Sequence, residues 1–184
     1  MLALLLVSGV AGAQTVSTDT PTIAALRVRA NAGDADAQWH LGVMYRIGSS
    51  VPQDDAQAAA WYRKAAEQGH TFAQWILGVM YARGEGVPQH YGQSVAWHRK
   101  AADQGHASAQ ASLGYAYSHG QGVPQDFVEA HKWRNLAASR ASAGDQTLYA
   151  EARDAVAALM TPQQVAEAQR LAREWLAAFE KRGE

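Results

Sequence analysis

Apolar side chains in the stretch that opens at Ala37 fall at Ala37, Leu41, Met44 and Tyr45. Those steps of four, seven and eight lie on one side of an α-helix. A second run, Ala58, Trp61, Tyr62 and Ala65, steps by three, four and seven and predicts another amphipathic helix. The segments that separate such runs read Gly84-Glu85-Gly86-Val87-Pro88 and Gly120-Gln121-Gly122-Val123-Pro124. A glycine in the left-handed conformation ends a helix, and a proline cannot continue one but tolerates the start of the next. Asp54 and Asp126 stand where the N-cap of the following helix is expected, and Gly69 and Gly105 close that helix. The unit is therefore helix–turn–helix.

The unit recurs with a period of 36 residues. Leu41, Leu77 and Leu113 keep that step, as do Gly42, Gly78 and Gly114; Tyr45, Tyr81 and Tyr117; Pro52, Pro88 and Pro124; and Trp61, Trp97 and Trp133. A glycine inside a helix costs about 1 kcal/mol relative to alanine, so its return at Gly42, Gly78 and Gly114 points to close approach by a neighbouring helix. The three tryptophans, facing small alanines, are expected in the core. One helix pair of this size cannot bury its apolar face alone, so the copies must stack and share a continuous core.

The pattern runs past the three full units. Gly33 lies 36 residues before Gly69, so residues 23–33 read as a lone second helix that starts the stack. Thr161-Pro162-Gln163-Gln164 is a capping-box start, with Thr161 as N-cap and Gln164 three positions on. It opens a helix with Val165, Ala168, Ala172 and Trp175 on one face. The preceding helix carries Leu148, Ala152, Ala155 and Leu159, and the two together read as a terminal cap over an otherwise exposed core face. The expected organisation is a half repeat at 23–34, full repeats at 35–70, 71–106 and 107–142 within a repeat region of 23–146, and a helical cap over 147–184.

The string Ala73-Gln74-Trp75-Ile76-Leu77-Gly78-Val79-Met80-Tyr81, the loop Gly84-Glu85-Gly86-Val87-Pro88-Gln89 and the run Ala96-Trp97-His98-Arg99-Lys100-Ala101-Ala102-Asp103-Gln104-Gly105 together resemble the Sel1-like repeat, a relative of the tetratricopeptide repeat with a slightly longer unit. The resemblance covers about residues 23–146. It implies an all-α, right-handed α-solenoid with a concave groove, and an adaptor that holds other proteins together. Many bacterial members are exported and serve signalling, envelope assembly, polysaccharide secretion or host contact. Four departures bear on this. Ser50 stands where Gly86 and Gly122 stand, so the first loop is expected to differ. His90 replaces the aspartate of Asp54 and Asp126, which weakens that N-cap. Ala141 replaces the glycine of Gly69 and Gly105, which suits a longer last helix running into the cap. The cysteine pairs of disulfide-rich members are absent, and nothing here carries over the penicillin-binding or hydrolase activity attributed to such members.

Composition narrows the function. The chain has 184 residues, 18% charged and 48% hydrophobic, with a formal net charge of −1. That suits one folded domain and offers no field for nucleic acid or an anionic membrane surface. It has no cysteine, which excludes disulfides and thiolate metal sites. Residues 2–10 are an apolar run followed by the small-x-small pattern Ala11-Gly12-Ala13, the form of a secretory signal peptide over 1–13 cut before Gln14, with 14–22 as a polar linker. No Lys or Arg precedes the run, which suggests a start codon upstream of the one given. A run this short does not span a bilayer, and no membrane span is expected in the mature chain.

No catalytic motif stands out. The Gly-x-Gly loops lack the Lys-Ser or Lys-Thr that a phosphate loop needs, and no Gly-x-Ser-x-Gly or His-Glu-x-x-His occurs. His70 and His106 are a repeat feature rather than ligands, and His90 and His98 lie too far apart for a helical metal pair. No enzyme, cofactor or metal is expected. The candidates for binding lie off the core stripe of the first helices: Trp39, Val43 and Arg46; Trp75, Val79 and Arg83; Tyr115 and His119. Trp, Tyr and Arg are the side chains that most often carry interface energy. Trp39 and Trp75 either pack between helices or face a ligand, with packing the commoner use. The others are expected to line the groove and take a protein or peptide partner. Two alternatives are a structural subunit of an envelope or polysaccharide-export complex, docked through its end cap, and a cell-wall or β-lactam hydrolase.

Overall fold

The computed structural model describes residues 23–183, and every element among them is an α-helix: α1 (Ile23–Asn31), α2 (Ala35–Ile47), α3 (Asp55–Glu67), α4 (Thr71–Arg83), α5 (Tyr91–Asp103), α6 (Ala107–His119), α7 (Phe127–Arg140), α8 (Ala143–Ala157) and α9 (Pro162–Gly183). The apolar leader, its small-x-small pattern and the polar segment at 14–22 lie outside the described residues. Helices pack on their sequence neighbours: α2 on α3, α4 on α5 and α6 on α7 within a repeat, α3 on α4 and α5 on α6 between repeats, with α1 against α2. Contacts between neighbouring units only are the mark of a solenoid.

Caps and turns set the helix ends. Asp34, Asp54 and Asp126 accept hydrogen bonds from the backbone N–H of Ala37, Gln57 and Glu129. Histidines fill the same role elsewhere: Nδ1 of His70, His90 and His106 accepts from the N–H of Ala73, Gln93 and Ala109. Gly48, Gly84 and Gly120 end α2, α4 and α6 in the left-handed region. Ser50 does not alter its loop as expected, for it takes φ +62° where Gly86 takes +66° and Gly122 +74°. Glycine is needed at the latter two because a Cβ would meet the backbone of the preceding repeat, 2.1 Å from the Asp55 carbonyl oxygen and 2.4 Å from the Tyr91 carbonyl carbon. Position 19, which Ser50 would face in the same register, lies outside the described residues.

Glycines 42, 78 and 114 let the two helices of each repeat meet. A Cβ at Gly42 would lie 2.6 Å from the Tyr62 ring, and one at Gly114 2.5 Å from Cγ of Arg134. A polar ladder joins successive repeats. The buried amides of Gln38, Gln74 and Gln110 donate to the carbonyls of Ala30, Ala66 and Ala102. Gln68 and Gln104 donate in turn to the side-chain oxygens of Gln38 and Gln74. Arg140 occupies the next position of that series and bonds the Gly105 carbonyl instead, which leaves Oε1 of Gln110 enclosed without a partner. Arg27, Arg63 and Arg99 each donate to a tyrosine hydroxyl of the following helix, at Tyr45, Tyr81 and Tyr117.

Three expectations about the core need correction. Trp133 is buried, but Trp61 and Trp97 are only half-buried, with the ammonium groups of Lys64 and Lys100 about 4 Å from their ring centroids. The difference is the cap: α9 packs on α7 and sets Trp175 edge-on to Trp133 at 6.0 Å, a cover that α3 and α5 lack. The buried residue on those two helices is the next one, Tyr62 or His98. Leu148 of α8 and Leu159, which lies in the turn after it, are exposed and the packed stripe is Tyr149, Arg153 and Val156, because Tyr149 reaches Ser108 of α6 and Arg153 reaches Asn135 of α7. Finally, α7 stops at Arg140 and Ala141 is extended, so α7 does not run into the cap. The capping box of α9 is as expected: Thr161 Oγ1 accepts from the Gln164 N–H, and Gln164 Oε1 accepts from the Thr161 N–H.

Candidate interaction groove

A cleft of about 430 Å³ opens in the second repeat, bordered by α6 of the third. Helix α4 contributes Val79, Ala82 and Arg83; α5 contributes Tyr91, Ser94, Val95 and His98; α6 contributes Ser112, Tyr115 and Ala116. Three of the eight candidates, Val79, Arg83 and Tyr115, are thereby brought together. Val79 and Tyr115 are one repeat apart in register, so they line the cleft side by side from equivalent positions on α4 and α6. His119 adjoins it: its ring stacks on Tyr115 at 4.1 Å, and its Nδ1 lies 2.9 Å from both the Tyr115 carbonyl oxygen and Ser118 Oγ.

Trp39, Val43, Arg46 and Trp75 lie outside this cleft. Trp39 and Val43 pack against the core shared by α3 and α4. Trp39 stacks on His70 and Trp75 on His106, the histidines that cap α4 and α6. Phe72, 55% exposed, bridges these pairs edge-on to His106, so the caps and tryptophans form one aromatic strip along an edge of the repeats. Arg46 does not correspond to Arg83. Its register partner is Ala82, so Arg46 turns into the crevice over Tyr62 whereas Arg83 projects outward to a weak pair with Glu85 at 3.4 Å.

That offset explains why the cleft opens in the second repeat. The crevice of each repeat lies between one position of the first helix and one of the second. In the first repeat these are Arg46 and Tyr62, in the third Ser118 and Arg134, and in the second Ala82 and His98. An arginine fills the first and third; the small Ala82 leaves the second open. Sequence reasoning did not single out His98. It is buried, its Nδ1 is enclosed without a hydrogen-bond partner, and burial pushes its pKa down to about 4, so the ring is neutral near pH 7. Its 36-residue relation to Tyr62 was the available signal.

The chemistry of the lining is donor-rich and lacks a paired acid. No hydrogen bond within the described residues engages the hydroxyls of Ser94 or Tyr115. Among the described residues no group of three His, Asp or Glu side chains converges as a metal site, and no helix is long and apolar enough to cross a membrane. Such a surface, with aromatic, aliphatic and cationic groups side by side, suits a peptide chain.

A family model described as the Sel1 repeat matches residues 35–70, 71–106 and 107–142. Among solved structures, a Sel1 repeat protein from Oxalobacter formigenes is similar at 32% identity and a TM-score of 0.65, over 70% of this chain and 53% of that one. A second, c5321 of uropathogenic Escherichia coli, described as a protective antigen displaying an SLR fold, is similar at 28% identity and a TM-score of 0.60, over 85% of this chain and 41% of that one. The chain thus spans only about half, or less, of the length of these two proteins. No curated protein sequence matches it.

Proposed function

The chain belongs to the Sel1 repeat family, its three repeats covering residues 35–142, and from that premise we propose that it is an exported bacterial scaffold that holds a partner protein in the groove of its repeats. Sel1 repeat proteins generally mediate protein–protein interaction, and the repeat scaffold is generally non-catalytic. The observation that carries the reading is the second-repeat cleft, which gathers Val79, Arg83 and Tyr115 around unengaged hydroxyls. Export rests on the apolar run and Ala11-Gly12-Ala13 at the start of the sequence. Affinity capture from cell-envelope extract tests the groove. The parent should enrich a partner that a Tyr115→Ala/Arg83→Ala variant of equal thermal stability loses; capture of the same set by both would sink the groove reading.

One observation favours a second reading, docking through the cap as a subunit of an envelope or polysaccharide-export complex. Leu148 of α8 and Leu159, in the turn that follows it, are 59% and 66% exposed. Exposed apolar side chains offer a contact surface where they form a continuous patch. Under this reading Leu148→Ser would abolish capture and the groove variant would not.

A further inference from the structure

Three departures from the repeat meet in the cleft of the second unit. Ser94 stands where Ala58 and Ala130 stand, His98 where Tyr62 and Arg134 stand, and Ala82 where Arg46 and Ser118 stand. All three departures line the cleft. Ser94 and His98 are four residues apart on α5 and so share a face of that helix. Each is only 4% exposed. No hydrogen bond among the described residues engages the Ser94 hydroxyl or either ring nitrogen of His98. Nδ1 of that ring is enclosed on the Gly78 side, which leaves Nε2 as the nitrogen open to the cleft. An enclosed N–H without an acceptor is rarer than an enclosed acceptor without a donor, so the ring proton belongs on Nε2. Buried polar groups are costly to leave unpaired, and here two of them share one floor.

Above that floor the walls are apolar and aromatic, with Val79, Val95 and Ala116 beside the rings of Tyr91 and Tyr115. The floor carries no charge, because the His98 ring is neutral near pH 7. Arg83 is at the exposed rim and turned to Glu85. An ionised group seated on the floor would lose its water and gain no counter-charge. The group that matches is neutral, with a ring for the walls and a tip that both accepts and donates. Such a tip accepts from Nε2–H of His98 and donates to Ser94 Oγ. Phenylalanine lacks the tip, tryptophan only donates, and serine and threonine lack the ring; tyrosine has both parts. Tyr115 is itself exposed, so the mouth is wide. Small-molecule sites bury most of their ligand, whereas a chain that crosses this mouth covers the edge that a free phenol would leave in water.

We propose that the cleft takes one tyrosine side chain of the partner protein, with its ring against Val79 and Tyr115 and its hydroxyl on Ser94 and His98. The proposal rests on the groove reading above and names the residue that the groove selects. The probe is the end-blocked pentapeptide Ala-Ala-Tyr-Ala-Ala with its Phe-for-Tyr counterpart, titrated into the whole protein and followed by the NMR shifts of the His98 ring protons. The Tyr peptide should move those shifts and bind about tenfold more tightly than the Phe peptide. Ser94→Ala, the residue that the other two repeats carry there, should weaken the Tyr peptide by about three- to tenfold and leave the Phe peptide unchanged. A loss selective for the hydroxyl is not a result that misfolding gives. Ala82→Arg, which places there the arginine of the first repeat, should remove binding of both peptides. Equal affinity for the two peptides, an equal loss of both on Ser94→Ala, full binding by Ala82→Arg, or no binding at all would each overturn the proposal. Binding of p-cresol as tight as that of the Tyr peptide would assign the cleft to a free phenol and overturn the partner's tyrosine. If the probe fails while the Tyr115→Ala/Arg83→Ala variant still loses its captured partner, the tyrosine falls and the groove reading stands.

Discussion

The imidazole of His98 occupies the space that any side chain at Gly78 would need: a Cβ there would lie 2.6 Å from both Cε1 and Nδ1 of the ring. Each of the three repeats is closed by such a pair, glycine on the first helix and a large residue twenty positions on. Gly78→Ala would gain about 1 kcal/mol of helix propensity. The overpacking against the buried ring costs about 1–3 kcal/mol, at or above that gain, so the clash should win. Urea denaturation is expected to place Gly78→Ala below the parent; an increase in stability would show that the helices are free to move apart. Gly114→Ala should cost at least as much, because beside Arg134 Cγ at 2.5 Å the Ala130 carbonyl oxygen at 3.1 Å and the Arg134 backbone nitrogen at 3.3 Å cannot swing aside.

Trp133 and Trp97 share a repeat position but differ in cover. Trp133→Ala should cost about 3–5 kcal/mol, as for a fully buried aromatic. Trp97→Ala, at a half-buried ring with Lys100 over one face, should cost less by about 1–2 kcal/mol. Thermal melts of the two variants compare them directly, and equal losses would mean that α9 does not shelter Trp133.

Acid should loosen the stack. Burial holds the pKa values of His70, His98, His106 and His131 below the ordinary 6.5, with Asp36 partly opposing at His70 and Arg153 reinforcing at His131. Lowered pKa values mean that the unfolded chain binds more protons than the folded one in this range. The stability they confer is complete above pH 6.5 and is lost as pH falls towards the folded values, about 4 at His98. His70 and His106 add a direct cause, since a protonated Nδ1 can no longer accept the capping N–H. His106→Asp keeps an acceptor, as Asp34 does at the equivalent place two repeats earlier, and does not titrate in that window. Its urea midpoint should fall less than the parent's between about pH 7.5 and 5; parallel declines would remove His106 from the account.

Much of this was legible in the sequence because a solenoid repeats its contacts with its residues. The 36-residue step with apolar periodicity located the helices of the repeats and the close glycine contacts, and the motif Thr161-Pro162-Gln163-Gln164 located the start of α9. What the step could not give was the environment of each copy. Trp133 and Trp97 hold the same position in the repeat, and α9 separates their burial. The outward face of α8 was misread because Leu148 and Leu159 are apolar, yet the neighbours reached by Tyr149 and Arg153 orient that helix. Of the candidate site, Val79, Arg83 and Tyr115 were found from residue type and phase. Arg46 was paired with Arg83 one position out of register, and that slip hid the vacancy above His98.

The central claim is that the partner lies in the groove between α4 and α6 and not on the cap. A photo-crosslinking amino acid placed at Val79, and separately at Leu148, tests it in cell-envelope extract. The account predicts a discrete adduct from position 79, lost on competition with unmodified protein, and none from position 148. An adduct confined to position 148 would contradict it and assign binding to the end helices.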